Sequence, residues 1–276
     1  MTYSTLMACL RLGGANADIL SVTGDLAERF KSSVLGVATR QPSQSMFTGA
    51  PAPEALIEQE EAAFRAQAVG LETEFREALK ARALGLDWRA QITVGPLAEY
   101  IADQSRGADL VIARGEPGGV LSDPAHYLDL GDLLMRVGRP LLVCPQGVNH
   151  LKLDRVIVAW KDSPESRRAT SDAMPFLEAA GEVILVSLEP EAQWAASRIR
   201  LDEVIAWLSG HGVAARAIVA EMVDDEARTL RRIARSEGAE LVVAGAFGRG
   251  RLREWAFGGV TSDLLAQADP FTLLSH

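Results

Sequence analysis

Cysteine is scarce: the 276 residues hold two, Cys9 and Cys144. Both lie in apolar, strand-like runs, so no disulfide framework is expected and two reduced, buried thiols are the ordinary outcome. Long apolar runs are missing as well, and none could span a bilayer. The opening MTYSTLMACLRLGG has no basic start before its apolar run, so it reads as a buried strand and not as a signal peptide. There is no basic excess: the formal net charge is -9, shared between the two halves. That balance speaks against nucleic acid as the main partner. Four histidines are present, none paired at metal-ligand spacing. A Walker A loop, a G-x-S-x-G elbow and a serine in triad-like company are all lacking. What remains is a globular, cytoplasmic protein with no membrane segment, no committed catalytic residue and no metal centre.

What is present is repetition. GADLVIAR, ending at Arg114, and GAELVVAG, ending at Gly245, are near copies. Each follows an amphipathic helix, Leu97–Arg106 and Ala227–Glu237. Each precedes a last strand opened by proline, at Pro140 and Pro270. Leu6–Leu10 corresponds to Val156–Trp160 at the start of each copy. The first copy carries extra residues in its middle. Ala52–Leu84 reads as one long helix with Leu56, Phe64, Leu71, Phe75 and Leu79 at helical spacing, against Gln193–Leu208 in the second. Its many glutamates are a solvated face, and its apolar stripe could pack the domains or a second chain.

Within each copy strands and helices alternate. The second-half strands are expected at Arg155–Trp160, Val183–Leu188, Ala214–Val219, Ala239–Ala244 and Phe271–Leu274. They are continuous apolar runs, as in parallel strands covered on both faces. Strict alternation predicts α/β architecture: two tandem, doubly wound, Rossmann-like parallel sheets of five strands, with helices on both faces. The domains fall at 1–147 and 152–276, joined near Gln146–Leu151.

After the fourth strand of the second copy comes GAFGRGRLREWAFGGVTSDLL. Gly245, Gly248 and Gly250 follow the strand, and Gly258 and Gly259 precede a helix expected from Thr261 or Ser262. Glycines let the backbone approach a phosphate, and unpaired amides at a helix start point at an anion. Thr261 can cap the helix or donate to a phosphate oxygen, and Arg249 adds positive charge. A glycine-rich surface turn with solvated arginines is the plain alternative. Asp225, with Asp224, is expected to cap the helix that follows them. Asp123, His126 and Asp129 share one loop of the first half and read as a solvated polar cluster.

The spacing Gly245-x2-Gly248-x9-Gly258, placed after a fourth strand, resembles the hallmark G-x2-G-x9-G-[ST] of the universal stress protein family. The strand pattern covers nearly the whole chain twice, so the resemblance is to a tandem-domain member. It implies a sheet order of 3-2-1-4-5, with ATP or ADP, and magnesium, in the crevice where strands 1 and 4 diverge. The implied phosphate loop comprises Gly245, Gly248, Arg249, Gly258, Gly259, Val260 and Thr261. The exit of strand 1, Ala159, Trp160, Lys161 and Asp162, supplies a carboxylate for the nucleoside at Asp162. Val219 is a candidate wall for the base. Lys161 stands where the family usually has the acid, and Gly259 where it has a hydroxyl.

In the first copy the loop reads Arg114-Gly115-Glu116-Pro117-Gly118-Gly119. Glu116 repels phosphate and Pro117 lacks an amide donor, so this domain is expected to have lost its nucleotide. The resemblance also implies pairing of the fifth strands, giving an intrachain pseudo-dimer, with homodimerisation open beside it. The function implied is regulatory: an ATP-responsive stress protein without strong catalysis. The alternatives are a weak magnesium-dependent ATP hydrolase, with Asp162 holding the ion and Arg249 offsetting charge, and an adaptor that binds no nucleotide.

Overall fold

The computed structural model describes residues 2–42, 54–115, 127–223, 225–246 and 270–276. Contacts divide the chain into two compact units, one built on Tyr3–Arg114 and the other on Pro140–His276.

The first unit holds strands β1 (Thr5–Leu10), β2 (Ser33–Arg40), β3 (Leu86–Ile92) and β4 (Leu110–Arg114). Its helices are α1 (Ala17–Phe30), α2 (Glu54–Leu79), α3 (Leu97–Gln104) and α4 (Leu130–Val137). The strands pair in parallel as β3-β2-β1-β4. Helix α2 is the long helix expected from the spacing of its apolar residues. Phe64, Ala68, Leu71, Phe75 and Leu79 form its buried stripe, and most of its remaining surface faces solvent. Phe75 is fully buried and its ring lies 5.5 Å from that of Trp88 on β3. Gly36 on β2 makes room for both rings: a Cβ there would come within 2.7 Å of Trp88 and 3.0 Å of Phe75.

The second unit opens with β5 (Leu141–Cys144) and β6 (Arg155–Ala159). Then come α5 (Pro164–Asp172), α6 (Met174–Ala179), β7 (Glu182–Leu188), α7 (Trp194–Gly210), β8 (Ala215–Ala220), α8 (Glu226–Glu237), β9 (Leu241–Gly245) and β10 (Phe271–Ser275). Five of the strands pair in parallel as β8-β7-β6-β9-β10, the 3-2-1-4-5 order. Both alternating sets of side chains on β6, β7 and β9 are buried, since Ile157 and Val158, Ile184 and Leu185, and Val242 and Val243 are all nearly inaccessible. A sheet with both faces dry must carry helices on both. On one face Leu230 and Ala234 of α8 pack against Ile157, Ile184 and Val242. Each large side chain buried in this way contributes about 1.5–3 kcal/mol.

Local signals set the helix ends. Asp225 caps α8 as expected, its carboxylate accepting the Arg228 amide at 2.8 Å, and Gly238 ends that helix in the left-handed region at φ 64°. Asp129, read from the sequence as part of a polar loop, caps α4 by accepting from the Gly131 and Asp132 amides. Asp123, His126 and Asp224 lie outside the described residues.

The fifth strand of the first copy belongs by its contacts to the second unit. There β5 runs antiparallel to β10, with Val143 opposite Thr272, Leu142 opposite Leu273 and Leu141 opposite Leu274. The fifth strands therefore do pair. Pro140 and Pro270 precede them directly, where a missing amide costs no ladder bond.

Candidate functional site

The strand order creates a switch point in the second unit. From β6 the chain crosses to β7 on one side; from β9 it continues to β10 on the other. β6 and β9 lie side by side between them, with Ala159 level with Ala244. Their carboxyl ends thus open a crevice whose exits lead apart, the usual ligand position in a doubly wound sheet.

The exit from β6 is a tight, internally bonded loop. Trp160 is half-buried and its amide donates to the Val186 carbonyl on β7 at 2.8 Å, so the backbone still follows the sheet. The next amide, of Lys161, donates to Ser166 Oγ at 3.2 Å. Ser163 caps α5: its Oγ accepts the Ser166 amide at 3.3 Å, and Pro164 takes the first helical position. Lys161 and Asp162 are exposed at the crevice edge. Asp162 is already engaged, its Oδ1 accepting Arg167 Nη1 at 2.6 Å. Both side chains are more than half exposed, at 57% and 55%, so the pair is a surface one.

The exit from β9 is fixed by contact with α5. A Cβ on Gly245 would lie 2.5 Å from the carbonyl carbon of Glu165 and 2.6 Å from the Ser166 nitrogen. Only glycine lets the strand end this close to a helix backbone. The glycine at this position is thus required by helix packing. One residue on, the Ala246 amide donates to the Ser275 carbonyl at 2.8 Å, and the His276 ring sits 3.2 Å from the Ala246 carbonyl. Helix α5 holds the same corner from below: Ser275 Oγ bonds Asp172, and Arg168 Nη1 donates to the His276 carbonyl at 2.8 Å.

Of the residues expected at the site, Ala159, Trp160, Lys161, Asp162 and Gly245 come together around the ends of β6 and β9. Val219 stands near the carboxyl end of β8, half-buried and opposite Ser187, with β7 between it and β6. Gly248, Arg249, Gly258, Gly259, Val260 and Thr261 lie outside the described residues. Ser166 escaped the sequence reading, although Ser163-Pro164 announces a capped helix start whose first turn must meet the strand ends. Among the described residues no group of histidine, cysteine or carboxylate side chains could hold a metal ion. Nor is any described helix long and apolar enough to cross a membrane.

Parallel strands, a switch point and a capped helix leaving it define a doubly wound α/β domain. Within that fold class, residues 152–270 match the model of the universal stress protein family. The fold of the whole chain is likewise similar to solved structures of universal stress proteins. One from Archaeoglobus fulgidus DSM 4304 aligns with TM-score 0.76 at 14% identity, covering 99% of this chain and 98% of the other. A putative universal stress protein from Pseudomonas aeruginosa UCBPP-PA14 aligns with TM-score 0.65 at 14% identity, covering 99% and 93%. No curated protein matches the sequence.

Proposed function

We propose that the second half, within the domain boundaries 152–276, binds a nucleotide, ATP or ADP, and that the protein is a regulatory stress protein without strong catalytic activity. The observation that carries this reading is the switch-point crevice at the ends of β6 and β9, edged by the Lys161–Asp162 loop. Lys161 offers a cation for phosphate, and Asp162 a carboxylate for ribose hydroxyls. The glycine spacing from Gly245 to Gly258 supports a phosphate loop at the same strand end. Bound phosphate at the end of β9 would transmit ligand occupancy to β10, the neighbouring strand that pairs with β5.

Hydrolysis, with Asp162 serving a magnesium ion, is the second reading. Asp162 is held by Arg167, and serving a magnesium ion would require it to give up that partner. Isothermal titration with ATP and ADP, with and without magnesium, tests the reading. Binding that disappears in Gly248→Trp is expected, whereas no heat at millimolar nucleotide would end the proposal. Phosphate release assayed alongside should stay at background; magnesium-dependent turnover lost in Asp162→Asn would establish the hydrolase instead.

A further inference from the structure

The first unit repeats the switch-point strands, with β1 between β2 and β4, but their carboxyl ends are built differently. Arg114 ends β4 where Gly245 ends β9. Counting from the helix caps Asn16 and Ser163, Asp18 stands where Glu165 stands. Arg114 reaches across the strand ends toward α1, its Nη2 lying 4.0 Å from Asp18 Oδ2 with the two side chains 21% and 33% exposed. The loop between β1 and α1 folds onto itself around the buried Asn16. Its Oδ1 accepts the Arg11 amide at 2.9 Å, and its Nδ2 donates to the carbonyls of Arg11 at 2.9 Å and Gly14 at 3.0 Å.

The extra length of α2 lies on top. Its carboxyl-terminal half packs Leu71, Phe75 and Leu79 onto the sheet. Its earlier turns overhang the strand ends instead. Gln67 Nε2 is 3.9 Å from where a Cβ on Gly13 would sit. Arg40, the last residue of β2, has its guanidinium 5.9 Å from the centre of the buried Phe64 ring. Its Nη2 donates to the Glu60 carbonyl at 3.1 Å and to the Glu60 carboxylate at 3.0 Å, with side chains 10% and 19% exposed. In the second unit α7 spends its bonds elsewhere. Ser197 meets Ser187 at 3.2 Å and Arg198 donates to Ala217 at 3.0 Å, both on the β7–β8 side.

We propose that the carboxyl-end crevice of the first half is closed by the chain itself. The Glu60–Gln67 turns of α2 act as a built-in plug, clamped by Arg40–Glu60, while Arg114 spans the strand ends toward α1. The extra helical length of the first copy thus replaces a ligand, and this half keeps one closed conformation whatever the nucleotide level. A guanidinium and a carboxylate this covered hold each other in place, because removing one leaves the other charge buried.

Hydrogen exchange read by mass spectrometry on the full chain tests this, and it needs no nucleotide, so its outcome is independent of the ligand reading for the second half. In the Glu60→Ala/Phe64→Ala variant, the segment Arg11–Asn16 should exchange faster by on the order of tenfold or more. Segments from β6 to β9 should keep their wild-type rates. Should the double variant fail to fold, Gln67→Ala and Arg40→Lys provide gentler openings, expected to speed the same segment by a smaller factor. Unchanged exchange over Arg11–Asn16 in a folded variant would overturn the proposal, as would a uniform increase across the whole chain.

Discussion

β4 and β9 are the same strand twice, yet one ends in Arg114 and the other in Gly245. At β9 the missing side chain lets α5 press its backbone onto the strand end, leaving the crevice edge to the Lys161–Asp162 loop. At β4 a long cation fills the corner and pairs toward α1, while α2 covers the adjoining loop. One substitution at a strand end therefore changes what the crevice can admit, while the order of strands around it is kept. Duplication left the scaffold alike and let the rims diverge.

The largest expected effect probes this corner directly. Gly245→Ala should cost about 1–3 kcal/mol in urea denaturation, because the new methyl group collides with helix backbone. The matching change, Arg114→Ala, only shortens a side chain and should cost less than about 1 kcal/mol. Equal costs at the two positions would show that the ends of β4 and β9 are packed alike and break the comparison.

A smaller effect is a pH dependence carried by Cys9 in the first half. Burial pushes the Cys9 thiol on β1 up from 9.0 to about 12. Between those values the unfolded chain releases a proton that the folded chain keeps, so stability falls as pH rises through this window. The slope from this one group is about 1.4 kcal/mol per pH unit. Denaturation midpoints at pH 8 and pH 10 should drop further for wild type than for Cys9→Ala, and parallel drops would place the thiol in contact with solvent. The smallest effect belongs to the rim of the second half. Asp162→Asn breaks an exposed pair with Arg167 and should alter stability by under about 1 kcal/mol. A larger loss in thermal melts would mean that the loop after β6 is a structural clamp and not a free ligand edge.

Much of the fold could be read from the residues. Continuous apolar runs announced buried parallel strands, and the matched octets ending at Arg114 and Gly245 announced the repeat. Element ends were harder. The first strand of the second copy was expected to run through Trp160 but stops at Ala159. The Trp160 amide still bonds β7, so only the paired ladder ends there. The long helix ends at Leu79, short of its expected end at Leu84, because apolar spacing alone marks no cap. The site was legible as a glycine spacing and a charged strand exit. Which partner each residue takes was not. Gly245 meets Glu165 and Ser166, Asp162 meets Arg167, and Arg40 meets Glu60 and Phe64. Most of these contacts join segments far apart in the chain and exist only once the sheet has formed.

The antiparallel pairing of β5 with β10 sets an order of events during synthesis. Leu141–Cys144 emerge well before Phe271–Ser275, the segment that supplies their antiparallel ladder partner. Until then an apolar strand edge stays open, and such edges invite pairing with other chains. The ladder is a contact of very high sequence separation and so should close late in folding. Loss of β10 would therefore leave β5 and β9 each with an unpaired edge and lower the solubility of the chain.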